Sequence, residues 1–310
     1  MQSNPLHCVC LMGPTAVGKT NWSLEWVDLL PFEIISIDSA MIYRGMDIGT
    51  AKPTPEILAR IPHHLIDICD PNVTYSAAQC CTDVLNCCLD IQSRGKIPLL
   101  VGGSMMYFRA LQQGLSQLPP ANPELRARLL EQALIYGWGE MHRRLELVDA
   151  VSAKRIHPSD TQRIQRALEI YHSTGIPWSV LCETRSNTHD ISWFNVVMMP
   201  ESRELLHTRI AIRFQQMLDQ GFLDEVVHLT QQWSLNVEYP SMRCVGYRQA
   251  LEYLHGEYNY SVFVEKCLAA TRQLAKRQLT WLRHWPDSQV VFAHESRLIV
   301  ERIKKFLGGM

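Results

Sequence analysis

The sequence lacks the features of several specialised protein classes. Its 310 residues contain no apolar run of about 18 or more, and the first residues lack the basic segment and long apolar stretch of a secretory signal. There are no repeats or low-complexity segments. The net charge is only −1, so a nucleic-acid partner would have to be bound by locally clustered basic residues. We therefore expect a globular, cytoplasmic protein without a membrane partner.

The ten cysteines form no recognisable metal or disulfide pattern, because no C-x-x-C pair occurs among them. Cys8 and Cys10 alternate along an apolar run, as on one face of a buried strand. Four others follow helical spacing in an apolar stripe: Cys80, Cys81, Cys87 and Cys88. We interpret them as buried, reduced thiols that act as small hydrophobic side chains, with a zinc site as the alternative.

The first hundred residues alternate between strand and helix patterns. Apolar runs predict buried strands at 6–12, 32–38 and 97–101, with helices between them at 19–30 and 76–93. Ser76 is the expected N-cap of the second helix. Strands separated by helices indicate a parallel sheet with right-handed crossovers.

The pattern changes after the proline-rich segment 118–123. From there to about residue 185 the patterns are helical and no strand is predicted. The run 193–199 then resembles a returning strand of the first domain. It is followed by predicted helices at 201–219, 222–234, 242–254 and 260–284, a strand at 289–292 and a terminal helix.

The segment from Gly13 to Thr20 (GPTAVGKT) fits the pattern G-x-x-x-x-G-K-[ST] and lies between an apolar strand and a helix. In such a loop the backbone N–H groups and the helix N-terminus surround phosphate oxygens. Lys19 would supply a positive charge, and the Thr20 hydroxyl could hold Mg²⁺. The alternative is a glycine turn with a surface lysine, and the pattern does not identify the molecule that carries the phosphates.

Three roles fit Asp38, which ends the second predicted strand. In an ordinary P-loop nucleotidase an aspartate at this place binds magnesium. It could instead act as a general base toward a substrate, or cap the turn that follows. The polar, glycine-bearing segment 39–53 lies between apolar segments, which favours a functional role.

Ser104 follows the third predicted strand after two glycines. In a doubly wound sheet this position lies beside the phosphate loop. The alternative is that Ser104 only caps the next helix.

Basic residues are clustered in the C-terminal helices. Residues 266–285 contain no acid and five basic side chains: Lys266, Arg272, Lys276, Arg277 and Arg283. Further pairs occur at Arg243 and Arg248, at Arg163 and Arg166, and at Arg209 and Arg213. The last pair is spaced to face one site from a single helix. A solvated surface is the ordinary explanation of such a run, but basic and aromatic side chains without balancing acids suit phosphate contacts and base stacking.

Together these segments resemble the tRNA dimethylallyltransferase family over nearly the whole chain. A phosphate loop alone is common, whereas the combination in this order is specific. The segments that carry the resemblance are GPTAVGKT, DSAMIYRGMDIGTAKP, PHHLIDICDP, PLLVGGSMMYF, RIHPSDTQRIQRALE, RCVGYRQ and TRQLAKRQLTWLR.

The resemblance implies a P-loop NTPase-like α/β fold with a parallel-sheet core and a helical insertion domain. The core would comprise 1–119 and 191–310 and carry C-terminal tRNA-binding helices, and the insertion at 120–190 would also contact tRNA. The implied reaction moves a dimethylallyl group from dimethylallyl diphosphate to N6 of adenosine 37, next to the anticodon in tRNA, and releases diphosphate. The implied partners are the tRNA anticodon stem-loop and this donor, with Mg²⁺ as cofactor. We expect a monomer.

The resemblance also assigns residues. Those implied to bind diphosphate are Gly13, Pro14, Thr15, Ala16, Val17, Gly18, Lys19 and Thr20, with Thr20 also at the metal. Those implied in catalysis are Asp38 as general base, Ser104, and Arg213 near the diphosphate. Those implied to contact tRNA are Asp38, Ser39, Ala40, Met41, Ser104, Arg126, Gln162, Arg163, Ile164, Gln165, Arg166, Arg243, Cys244, Val245, Gly246, Tyr247, Arg248, Lys276, Arg277, Gln278, Leu279, Thr280, Trp281, Leu282 and Arg283.

Three positions depart from the family pattern. Val17 stands where serine is frequent, Met41 where many members have glutamine, and Ser104 where most have threonine. Three other functions remain open at this point. They are a small-molecule kinase that uses ATP at the same loop, a tRNA-binding module without catalysis, and an enzyme that prenylates free adenylate.

Overall fold

The computed structural model describes residues 6–116, 118–183, 185–186 and 191–308. The chain forms two compact units, one made of residues 1–110 and 189–310 and the other of residues 111–188. Within the described ranges, no helix is both long enough and apolar enough to cross a membrane.

The first unit alternates strands and helices, which confirms the predicted α/β fold. Its N-terminal part contains β1 (Leu6–Met12), α1 (Lys19–Leu29), β2 (Phe32–Ile37), α2 (Pro55–Arg60), β3 (His63–His64), α3 (Ala77–Ser93), β4 (Ile97–Gly102) and the start of α4 (Met105–Gln113). Its C-terminal part contains β7 (Ile191–Met198), α9 (Arg203–Asp219), α10 (Phe222–Trp233), α11 (Tyr247–Leu254), α12 (Tyr260–Leu282), β8 (Ser288–Val291) and α13 (Ser296–Gly308).

Among the described residues these strands form a six-stranded parallel sheet in the order β3-β2-β4-β1-β7-β8. The three central strands end in register, because Gly102 pairs with Met12 on one side and with Ile37 on the other. The loops that follow β1, β2 and β4 therefore leave the sheet at the same edge, which is where open α/β sheets bind ligands.

Local signals explain why α3 packs against this sheet. Ser76 caps the helix as predicted: its Oγ accepts a hydrogen bond from Gln79 N at 3.2 Å, and Gln79 Oε1 accepts one from Ser76 N at 2.8 Å. Cys80 and Cys88 lie on the buried face of the helix. The Sγ atom of Cys88 is 3.7 Å from that of Cys8 on β1, and all ten cysteines are free thiols.

Two of the apolar clusters in the first unit join its elements around the sheet edge and the C-terminal helices. One joins the sheet to α1 and α13, and its buried members include Trp26, Leu99 and Ile299. The other packs the segment after β2 against the C-terminal helices, with Met46 and Phe263 fully buried. Because the second cluster is built on segment 42–46, the loop that follows Asp38 is anchored to α9–α12 rather than free in solvent.

The second unit is mainly helical. It contains β5 (Leu115–Ser116), α5 (Pro123–Val148), α6 (Ala150–Arg155), α7 (Thr161–Thr174), α8 (Trp178–Glu183) and β6 (Arg185–Ser186). Its core is formed by α5, α6 and α7, with Leu145 and Ile164 fully buried. The helical path of α5 is interrupted at Gly137, where φ is +79°.

The structure differs from the predicted elements in three places, the first being the short strand β5 at Leu115–Ser116, where no strand was predicted. Helix α2 and the short strand β3 lie in a segment for which no element was predicted. The helix predicted at 242–254 is divided into a 3₁₀ turn at Ser241–Arg243 and helix α11. The division occurs because Gly246 has φ +92° and Cys244 is not helical, so the RCVGYR segment forms a bend at the start of α11.

We predict that Gly102→Ala destabilises the protein strongly. A β-carbon at this position would overlap the carbonyl oxygen of Ile37 on the neighbouring strand, so the sheet would have to separate. We expect a loss of about 3 kcal/mol or more in the free energy of unfolding, measured by urea denaturation. The control is Gly139→Ala in α5, where a β-carbon meets no atom within 4 Å. This substitution should increase the free energy of unfolding by about 0.5–1 kcal/mol. Equal stabilities of the two variants would contradict the close approach of β2 and β4.

Candidate active site

A cavity of about 670 Å³ opens in the first unit at the carboxyl edge of the sheet. The three loops that follow β1, β2 and β4 all contribute to it, through Lys19, Asp38 and Ser104. Helices α9 and α12 supply the opposite wall, which includes Arg213 and Trp281. The structure therefore brings together the phosphate loop and all three residues predicted to be catalytic.

The phosphate loop has the backbone that its glycines predict. A β-carbon at Gly13 would lie 2.8 Å from Val17 Cγ1, and Gly18 has φ +110°, so both positions favour glycine. Lys19 turns back over the loop, and its Nζ donates hydrogen bonds to Gly13 O at 2.9 Å and Pro14 O at 2.8 Å. A phosphate that enters the loop would compete for this ammonium group.

The protonated, charged form of Lys19 is less stable in the free protein than in water. Burial lowers its pKa from 10.5 to about 8, while the nearby Asp38 opposes the shift and Arg213 adds to it. Burial also lowers the pKa of the Arg213 guanidinium, and Asp38 again opposes the shift. Asp38 thus partly compensates the positive charges of Lys19 and Arg213, and Arg243 and Arg277 add further positive charge to the cavity lining.

Asp38 has two structural relationships. Its Oδ1 accepts hydrogen bonds from Ala40 N at 2.9 Å and Met41 N at 3.4 Å, which is the turn-capping role considered from the sequence. It also lines the cavity together with Lys19 and Arg213. One carboxylate oxygen therefore fixes the turn, and the other has no hydrogen-bond partner within the part of the chain that the structure describes.

Ser104 joins two of the loops. Its Oγ accepts a hydrogen bond from Ser39 N at 3.1 Å and lies 3.4 Å from Ser39 Oγ. The hydroxyl of Ser104 thus contacts the loop after β2, while its carbonyl oxygen accepts a hydrogen bond from Phe108 N at the start of α4. The hydroxyl contact holds the segment that starts at Asp38 next to the end of β4.

Two arginines of α9 reach this region, as their spacing predicts. Arg213 donates from Nη2 to Thr50 O at 3.1 Å and lines the cavity. Arg209 donates from Nη1 to Val17 O at 3.4 Å and so touches the phosphate loop directly. One helix therefore contacts both the phosphate loop and the loop that follows β2.

Glu225 has a role that sequence reasoning missed. Its carboxylate accepts hydrogen bonds from the backbone N–H groups of Asp47, Ile48 and Gly49 at 2.9, 2.6 and 3.1 Å, and from Tyr247 Oη at 2.5 Å. This single side chain fixes the loop that presents Thr50 to Arg213. No local pattern could have indicated it, because the three backbone partners are more than 170 residues from Glu225 along the chain.

A divalent cation would find few protein ligands here. Among the described residues, no group of three His, Cys, Asp or Glu side chains is arranged to hold a metal ion. Thr20 is exposed at the start of α1 and lines the cavity, as does Asp38. One or two protein oxygens completed by phosphate oxygens and water are the donor set that Mg²⁺ commonly takes, so these residues fit Mg²⁺ bound together with a phosphate ligand.

The residues predicted to contact RNA differ in accessibility. In the first unit the exposed ones include Arg243, Arg248, Lys276, Arg277, Thr280, Trp281 and Arg283. Arg243, Arg277 and Trp281 also line the cavity, so a basic and aromatic surface adjoins it. Tyr247 and Leu282 are instead almost completely buried, as is Gln278, and these side chains pack inside the unit.

In the second unit three of the predicted RNA contacts, Arg126, Gln165 and Arg166, form one network. The fully buried carboxylate of Glu169 accepts hydrogen bonds from Arg126 Nε at 3.1 Å and Arg166 Nη1 at 2.8 Å. Gln165 donates to Arg126 O at 3.0 Å. Ile164 lies in the hydrophobic core and contributes packing, because helical spacing turns it inward from its basic neighbours.

Comparison with known proteins agrees with this arrangement. The family model described as IPP transferase matches residues 41–285. A protein named tRNA dimethylallyltransferase from Legionella pneumophila (strain Corby) is 57% identical over 303 residues, which cover 96% of each chain.

Two solved structures are also similar. The tRNA isopentenylpyrophosphate transferase from Bacillus halodurans has a TM-score of 0.69 at 32% identity, covering 98% of this chain and 96% of that one. A eukaryotic dimethylallyltransferase acting on tRNA has a TM-score of 0.79 at 25% identity, covering 96% of this chain and 77% of that one. With the phosphate loop, Asp38 and Ser104 gathered at one cavity, these matches show that the chain belongs to the IPP transferase family.

Proposed function

We propose that the protein transfers a dimethylallyl group from dimethylallyl diphosphate to N6 of adenosine 37 in tRNA, giving N6-isopentenyladenosine and diphosphate. The observation that carries the proposal is the single cavity that joins the phosphate loop, Asp38 and Ser104 to the basic and aromatic surface of α12. A phosphate loop alone would suit many enzymes, but the adjoining surface suits a polyanionic acceptor with a base to be stacked.

The donor's diphosphate belongs in the phosphate loop. Lys19 and Arg213 would neutralise the negative charge that develops on the diphosphate as its bond to C1 of the dimethylallyl group breaks. Both cations are only partly exposed, so their attraction for the leaving group is screened less than it would be in water. Apolar side chains of the same cavity, including Ile210, Phe214 and Leu274, suit the hydrocarbon part of the donor.

The acceptor amine needs a base, because the lone pair of N6 is delocalised into the adenine ring. As the new bond from N6 to C1 forms, an N6 proton would pass to the Asp38 carboxylate, and the diphosphate would leave with the bonding electrons. The adenine has to leave its stack to enter the cavity, at a cost of a few kcal/mol that contacts with the cavity would offset. Trp281 at the rim offers an aromatic face for this purpose.

Mg²⁺ would be held by the Thr20 hydroxyl and oxygens of the diphosphate. When bound, it would supply additional positive charge to the leaving group. We expect the enzyme to work as a monomer in the cytoplasm.

Donor capture should depend on pH through Lys19. Because its pKa is lowered to about 8, Lys19 is increasingly neutral above that pH, and a neutral amine does not attract the diphosphate. We expect kcat/KM for dimethylallyl diphosphate to fall as pH rises through about 8. Bound diphosphate raises the lysine pKa again, so kcat at saturation should fall at higher pH.

The variant Lys19→Ala serves as the reference for this profile. It should lose a factor of about 10²–10³ or more in kcat/KM and show no decline near pH 8. The exposed Lys305→Ala should behave as the unchanged protein. A flat wild-type profile up to pH 10, with the fold intact by circular dichroism, would contradict the assignment to Lys19.

The role of Asp38 can be tested with Asp38→Asn. The amide keeps an oxygen for the turn at Ala40 and Met41 but is a negligible base, so the single-turnover rate should fall about 10²–10⁴-fold. Dissociation constants for donor and tRNA should change little. If raising Mg²⁺ restored much of the rate, Asp38 would be a metal ligand, as in a P-loop kinase, and not the base.

The RNA surface can be tested by charge removal. Replacing the three exposed residues Lys276, Arg277 and Arg283 by alanine should weaken tRNA binding and reduce its salt dependence by about 0.7–0.9 in log–log slope for each lost phosphate contact. A matched triple variant removes the same charge from α13, at Arg302, Lys304 and Lys305. Nearly equal effects of the two triple variants would show that α12 has no particular role in binding RNA.

A further inference from the structure

Gln278 occupies an unusual position on α12. The sequence groups it with the tRNA-contacting residues, and its neighbours Lys276 and Arg277 are exposed. Gln278 itself is only 9% exposed. Its side chain points away from the surface that its neighbours form, so its contacts lie inside the protein.

The Gln278 amide connects two of the loops at the cavity. Its Oε1 accepts a hydrogen bond from Thr15 N at 2.9 Å, and its Nε2 donates one to Gly103 O at 2.9 Å. These partners are 263 and 175 residues away along the chain. A β-carbon at Gly103 would overlap Gln278 Nε2, so the glycine is what allows this approach. One side chain thus ties the phosphate loop to the loop that carries Ser104.

Thr15 is a suitable point from which to hold the phosphate loop. The preceding Pro14 has no N–H group, so Thr15 supplies the next backbone donor after Gly13. The following Ala16 has φ +62°, a conformation that a residue other than glycine adopts only when its surroundings impose it. Ala16 packs against the cluster that contains Ala275 of α12, which adds an apolar contact to the hydrogen bond.

We propose that Gln278 is a positioning residue for the diphosphate donor and not a contact for RNA. By holding Thr15 and Gly103, it fixes the strained phosphate loop in the conformation that receives the diphosphate, so that binding need not order the loop. The proposal rests on the proposed function for the identity of the donor. It predicts that neighbouring positions on one helix serve different substrates, Gln278 the donor and Arg277 the RNA.

The test uses Gln278→Met, which has a similar volume and neither hydrogen bond. The affinity for inorganic diphosphate, measured by calorimetry, reports on the phosphate loop alone. The affinity for an anticodon stem-loop RNA reports on the helix surface. We expect the dissociation constant for diphosphate and the KM for the donor to rise about tenfold or more. The dissociation constant for the RNA and kcat at saturating donor should stay within about threefold of wild type. Amide hydrogen exchange in residues 13–19 should become faster.

Three further variants make the result decisive. Gln273→Met is the matched control, since this glutamine is exposed on the same helix and should leave both affinities unchanged. Arg277→Met should do the reverse of Gln278→Met and weaken RNA binding while diphosphate binding is retained. If Gln278→Met does not fold, Gln278→Asn replaces it, because its amide is one methylene too short to reach both partners. Gln278→Asn should weaken diphosphate binding and leave RNA binding nearly unchanged, as expected for Gln278→Met.

The outcomes separate the two proposals. If Gln278→Met weakens RNA binding and leaves diphosphate binding intact, Gln278 is an RNA contact and the inference is wrong. If both ligands are weakened equally, its role is general stability, and the inference is again wrong. If the wild-type protein binds neither diphosphate nor the RNA, the proposed function itself fails.

Discussion

The backbone of Gly102 lies so close to the carbonyl group of Ile37 that no side chain fits between them. This contact keeps β2 and β4 in a register where Ile37, Gly102 and Met12 end side by side. Because the strands end side by side, the residues that follow them lie close together whatever contacts the loops themselves make. Lys19, Asp38 and Ser104 line one cavity because three parallel strands stop at the same level.

The charges at this edge depend on each other. Lys19 and Arg213 are partly buried cations, and among the described residues Asp38 is the carboxylate whose charge favours the charged form of both. The free protein therefore holds an unbalanced positive charge in a region where burial makes charge costly. A polyanion relieves this imbalance, so the same burial that lowers the pKa of Lys19 strengthens its attraction for a diphosphate.

The structural features that depend on short-range sequence patterns could be predicted from the sequence. The five longer strands, the phosphate loop and the N-cap at Ser76 follow from spacing within a few residues, and the approach of Ser104 to the other loops follows from the topology of a parallel sheet. The contacts of Glu225 and Gln278 could not be predicted in this way. Each is made by a polar side chain to backbone groups of a distant loop, and backbone groups carry no sequence signal. The bend before α11 was missed because the left-handed conformation of Gly246 interrupts an otherwise helical pattern.

Three residues stand where the resemblance implies other side chains, and at each of them the structure shows how the loop is held. Val17 is 1% exposed and packs in the core beneath the phosphate loop, so a hydroxyl at this position would be directed away from the phosphates. Met41 contributes its backbone N–H to Asp38, which any residue other than proline can do, and its sulfur lies 3.8 Å from Ser36 Oγ. Ser104 uses only its hydroxyl, which binds Ser39 N, so the methyl group of threonine is not needed for that bond. Backbone and hydroxyl groups thus hold the loops in place at these positions. The parts of the side chains that differ make none of these hydrogen bonds.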